Sequence, residues 1–66
     1  MSHLSPADVG ARVTVRHRLV DGAATDVVGD LEAADADELA IRTRTGELVR
    51  VTTSGVVAAK VIGPSL

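Results

Sequence analysis

The 66-residue chain contains no phenylalanine, tyrosine, tryptophan or cysteine. Without aromatic rings it lacks the stacking platforms on which small β domains hold bases or peptides. An aromatic-lined groove for proline-rich ligands is excluded for the same reason. Without cysteine there is neither a disulfide nor a thiolate zinc site to brace the fold. A cysteine-free chain fits a reducing cytoplasm. No apolar run approaches the ~18 residues of a membrane span. Met1-Ser2-His3-Leu4-Ser5-Pro6 lacks the charged start and long apolar stretch of a signal peptide.

Reactive constellations are also missing. His3 and His17 stand apart and have no thiol partner, so no metal centre is expected. Ser2, Ser5, Ser54 and Ser65 have no triad context. The six glycines are scattered at turns and kinks and form no phosphate loop. No catalytic residue and no cofactor is expected.

What is present is short-range alternation of apolar and polar residues, the mark of half-buried strands. One domain of this length buries only about 60% of its unfolded surface, so its core is thin. The pattern predicts a tail over 1–8, a barrel over 9–63 and a second tail over 64–66. Ser5-Pro6-Ala7-Asp8 has turn chemistry. Strand one runs from Arg12 to Leu19, with Val13, Val15, His17 and Leu19 inward and Arg12, Thr14, Arg16 and Arg18 outward. Asp21-Gly22 marks the next turn, and strand two follows from Asp26 to Ala34, kinked at Gly29. Strands three and four cover Glu38 to Thr43 and Glu47 to Thr52. A short turn at Thr53-Ser54-Gly55 precedes the last strand, Val56 to Ile62.

Register follows from parity. A three-residue loop, Arg44-Thr45-Gly46, pairs Ile41 with Val49 and Leu39 with Val51, and it puts Gly46 at a left-handed position. The same logic at Asp35-Ala36-Asp37 pairs Leu31 with Ile41 and Ala33 with Leu39, with Asp37 left-handed. The expected core is Val13, Val15, Leu31, Ile41, Val49, Val51, Val57 and Val61. Five short strands joined by tight turns predict an all-β, five-stranded Src-homology-3-like barrel, closed or nearly so; an oligonucleotide-binding barrel is the alternative.

Net charge is −2, and the charges are segregated. Seven of the nine carboxylates, from Asp21 to Glu38, share a stretch with no basic residue, and arginines flank it on both sides. Acidic and basic strands then become neighbours, with Asp30 opposite Arg42. The outward arginines Arg16, Arg18, Arg42 and Arg44 are the expected interaction surface, Asp30 partly neutralising Arg42 and leaving Arg16, Arg18 and Arg44 freer.

Four segments carry a resemblance. They are Gly10-Ala11-Arg12-Val13-Thr14-Val15-Arg16-His17-Arg18-Leu19, Thr25-Asp26-Val27-Val28-Gly29-Asp30-Leu31, Ile41-Arg42-Thr43-Arg44-Thr45-Gly46-Glu47-Leu48-Val49-Arg50-Val51 and Val56-Val57-Ala58-Ala59-Lys60-Val61. Their order and spacing resemble the N-terminal domain of actinobacterial acetyltransferases of the GCN5-related family. There a small Src-homology-3-like domain precedes an acetyl-CoA-dependent catalytic domain, which has no counterpart in these residues. The resemblance implies a non-catalytic accessory or protein-interaction module, and the missing cysteines agree with a cytoplasmic one. Its partner would be protein, an acetyltransferase domain or a second copy. A nucleic-acid-binding barrel using the arginine face is the other reading, and no membrane partner is expected.

Overall fold

The computed structural model describes residues 4–64. They form β1 (Ala11–Arg18), β2 (Ala24–Ala34), β3 (Glu38–Thr43), β4 (Leu48–Thr52) and β5 (Val56–Pro64), with 3-10 turns at Pro6–Asp8 and Thr53–Gly55. All ladders are antiparallel, in the order β4-β3-β2-β1-β5. The chain meanders through three hairpins, and its last strand returns beside the first. The five-stranded all-β expectation holds, but the sheet is not closed: β4 and β5 are its two edges. Among the described residues no helix is long and apolar enough to cross a membrane. Met1–His3 and Ser65–Leu66, within the expected tails, lie outside the described residues.

Inward residues of the strands meet in one cluster. Val13, Val15, Leu31, Leu39 and Ile41 are almost completely buried, with Val51 and Ala59 beside them. Burying each large aliphatic side chain contributes roughly 1.5–3 kcal/mol. Ile41 stands opposite Val49 and Leu39 opposite Val51, as parity required. Thr43 N–H donates to the Glu47 carbonyl at 2.9 Å, which closes the three-residue turn, and Gly46 takes φ 91°. Gly29 lies mid-sheet between Val13 and Thr43. A methyl there would run into the Arg42 carbonyl, with the carbonyl carbon at 2.8 Å. The kink expected at Gly29 is thus a close approach of β3 over β2.

Three local expectations are corrected. First, β2 bulges between Leu31 and Ala33, so Leu39 faces Ala34 rather than Ala33. Asp35 N–H then donates to the Glu38 carbonyl at 3.0 Å, leaving Ala36-Asp37 as the turn. Asp37 is not left-handed. The Asp35 carboxylate accepts from the amides of Asp37 and Glu38, each at 2.8 Å, and this side-chain cap removes the need for a positive φ.

Second, Val57 and Val61 are not core residues; they are 50% and 44% exposed. The β1–β5 register shifts between Arg16 and His17, which makes Val57 the extra residue and gives the inward positions to Val56 and Ala59. Val61 stands opposite Val13, but on an edge strand with a neighbour on one side only. Leu19, expected inward, lies past the end of β1 and is 45% exposed.

Third, the segment before β1 is part of the fold. Leu4 is 8% exposed and packs in the core. Behind it Ser5 N–H donates to the Asp8 carboxylate at 2.9 Å, Asp8 N–H donates back to the Ser5 carbonyl at 2.9 Å, and Gly10 N–H donates to the Leu31 carbonyl at 2.8 Å. At the same end of the molecule Thr53 straps the β4–β5 corner to the β2–β3 turn. Its hydroxyl donates to the Ala36 carbonyl at 2.7 Å and its amide to the Asp37 carbonyl at 2.9 Å.

Candidate functional site

The outer face of the sheet carries its charge in cross-strand rows. Register places Arg12, Asp30 and Arg42 side by side on β1, β2 and β3. Four residues along β1, Arg16 faces Asp26. Each described ion pair joins adjacent strands: Arg12 with Asp30, Arg16 with Asp26, Arg42 with Glu32 and Arg50 with Glu38. The segregated charges of the sequence therefore become neighbours on the folded sheet.

Two of these pairs are well made. Arg16 Nε donates to Asp26 Oδ1 at 2.9 Å and its Nη2 to Oδ2 at 3.3 Å. Arg42 Nε and Nη2 donate to the two Glu32 oxygens at 2.9 and 3.1 Å. The hydrogen bonds from the guanidinium groups hold Asp26 and Glu32 below their ordinary carboxylate range and raise the two arginines. Being exposed, such pairs are worth little to stability. Arg12 and Arg50 only approach their partners, each at 3.8 Å.

These contacts revise which arginines are free. Arg42 stands opposite Asp30, yet its carboxylate partner is Glu32, the residue displaced by the β2 bulge. Arg16 is held in both hydrogen bonds by Asp26, so it is not a free charge. Arg18 donates to the Gly22 carbonyl at 3.2 Å, and Arg42 also donates to the Gly46 carbonyl at 2.9 Å. Both bonds hold an arginine against the turn it flanks. Among the described residues Arg44 has neither a hydrogen bond nor an ion pair.

The four expected residues do not make one continuous surface. Arg42 and Arg44 line a groove of about 400 Å³ with Arg12, Val28, Gly29 and Asp30. Arg16 lines a separate, shallower cleft with Asp26, Thr14 and Lys60. Arg18 sits at the β1–β2 turn. Sequence reasoning missed Arg12 as a groove residue, although the register that set Asp30 beside Arg42 would have found it once extended to β1. It also missed Asp30 as an unsatisfied group: its Oδ1 is buried without a hydrogen bond, because Arg12 stops at 3.8 Å. On the opposite side Leu4, Leu39, Val56 and Ala59 line an apolar cleft of about 170 Å³ under the Thr53 strap.

A family model described as the Rv0428c N-terminal Sm-like domain matches residues 7–60. The chain belongs to this Sm-like family. The match runs from the first 3-10 turn through the whole meander and into β5, so it covers the groove of Arg12, Arg42 and Arg44 and the cleft of Arg16. No curated protein matches the chain. No solved structure matches it. Among the described residues of this Sm-like domain, no three histidine, aspartate or glutamate side chains gather as metal ligands. What the outer face offers chemically is guanidinium and carboxylate groups paired across neighbouring strands.

Proposed function

We propose that this Sm-like domain is a non-catalytic interaction module that positions or recruits a protein, an acetyltransferase domain of the GCN5-related family being the favoured partner. Membership in a small Sm-like β-domain family carries the reading. The family's description as an N-terminal domain agrees with a module that works beside another domain. The resemblance of the four ordered segments supplies the acetyltransferase. The cysteine-free composition fits a cytoplasmic setting. Arg16, Arg18, Arg42 and Arg44 remain the proposed contact residues, with Arg44 foremost because its guanidinium is uncommitted among the described residues. A nucleic-acid partner is disfavoured, since Arg16 and Arg42 already serve carboxylates and no ring is present to stack on a base.

Sedimentation velocity tests this. The purified chain is mixed with an acetyltransferase catalytic domain encoded in the same frame or beside it. A stoichiometric complex is expected, along with no saturable acetyl-CoA binding by the chain alone in calorimetry. Independent sedimentation of the two, or acetyl-CoA turnover by the chain itself, would overturn the reading.

A further inference from the structure

The groove between β1, β2 and β3 combines three features that nothing in the fold itself requires. Among the described residues Arg44 has no partner. Arg12 stands 3.8 Å from Asp30, outside hydrogen-bond range, and among the described residues its guanidinium donates no hydrogen bond. Asp30 Oδ1 is buried and accepts no hydrogen bond, an arrangement that costs stability unless a donor arrives. Between them Val28, half exposed, and Gly29, without a side chain, form the floor.

We infer that this groove takes an extended, carboxylate-bearing segment of a partner protein. The inference rests on the interaction-module reading and names its contact surface. The ligand must offer an anion to Arg44 and Arg12, a donor to Asp30 and an apolar contact to Val28. An acidic peptide in extended form offers all three. A side-chain carboxylate binds guanidinium through two parallel bonds. A neighbouring backbone N–H supplies the donor once Arg12 swings from Asp30 to the carboxylate. The methylenes of the acidic side chain lie on Val28. A DNA backbone offers anions without a nearby donor, and the Asp30 carboxylate in the floor opposes a continuous polyanion. The groove counts Arg12, Arg42 and Arg44 against Asp30, and remains positive when Glu32 is included, although the chain as a whole is acidic. An acidic partner is therefore attracted to this place in preference to the rest of the surface.

The test is a titration of the 15N-labelled chain with hexaglutamate peptide at low salt, followed by NMR. Saturable shifts are expected at the amides of Gly29, Asp30 and Arg44 and at the Arg44 side chain. Arg44→Ser should weaken binding about tenfold, as loss of a charge-assisted pair does. Arg50→Ser, on β4 and outside the groove, should leave it unchanged. Folding of both variants is checked by their melting temperatures. Absence of shifts, shifts centred on Arg18 or Lys60, or equal binding of an oligothymidylate of the same charge would overturn the inference. So would dilution-dependent shifts at the groove without peptide, which would mean that a second copy fills it. A failed titration leaves an acetyltransferase complex possible through another surface; a failed complex leaves the groove's peptide binding standing.

Discussion

Gly29 lies so close under the Arg42 carbonyl that no side chain fits between them. The contact lets β3 curl over β2 and brings Arg42 and Arg44 to the groove that Arg12 lines from β1. Gly29→Ala must push backbone, since the atoms it meets are the carbonyl carbon and oxygen of Arg42. Overpacking of this kind costs about 1–3 kcal/mol. In a domain of this size that is a drop in melting temperature of roughly 4–8 °C per kcal/mol, read by thermal circular dichroism. A variant as stable as the parent would show that the two strands do not approach this closely.

The core is small enough for one residue to decide it. Ile41 is fully buried, and Ile41→Ala should cost about 2–5 kcal/mol, against about 0.5–1.5 for Ile41→Val. A core of this size seldom supplies more than about 3–5 kcal/mol of stability, so the alanine variant should lose most of it. Val57→Ala, at a bulged and half-exposed position, should change stability by less than about 0.5 kcal/mol. Urea unfolding of the three variants separates these cases, and a large Val57 effect would restore that residue to the core.

Leu4 tests whether the segment before β1 is structural. Leu4→Ala should cost about 2 kcal/mol, near the low end for buried leucine because the site borders an open cleft. Asp8→Ala removes the acceptor for the Ser5 amide and should cost about 1 kcal/mol. Chemical denaturation measures both. Stability unchanged in the pair would reduce this segment to a passive tail.

Acid should weaken the sheet surface through two carboxylates, Asp26 and Glu32. The Arg16 and Arg42 hydrogen bonds depress Asp26 and Glu32 from ordinary values of 3.8 and 4.5. A carboxylate depressed by folding contributes stability that is fully present above its unfolded value and is lost as pH falls through its folded one. The effect is therefore confined to pH below about 4.5, with none near neutrality. Carboxyl chemical shifts should show Asp26 titrating below 3.8 in the parent and returning toward 3.8 in Arg16→Ser. Titration of Asp26 at an unchanged pH in that variant would mean the pair is not formed in solution.

Much of this was legible from residue order. Ile41, Val49, Leu39 and Val51 alternate with polar neighbours, and Gly46 can adopt what its turn demands, so parity and loop length agreed on one register. At Asp35 the turn is closed by a side chain competing with the backbone, and parity carries no trace of that. In β5 the run Val56-Val57-Ala58-Ala59 is apolar at every step, so alternation could not reveal which residue is the bulged one. Leu4 is a lone apolar residue in a short segment with no period to read. The arginines were identified by type, but a bond length decides which of them is free, and sequence does not encode that directly.

The return of β5 to β1 has a kinetic consequence. Every hairpin of the meander closes locally, whereas Ala11 pairs with Pro64 and Arg12 with Gly63, across nearly the full chain. Loop-closure entropy for such a span, about (3/2)RT ln n, comes to roughly 3–4 kcal/mol and is recovered only once the ladder has zipped. The first and last strands thus act as a clasp: slow to engage, and the natural place for the sheet to part. Amide exchange should then be governed by global unfolding at Ile41 and by clasp opening along β5. Whatever adds hydrogen bonds to the outer side of β5 would hold the whole molecule shut.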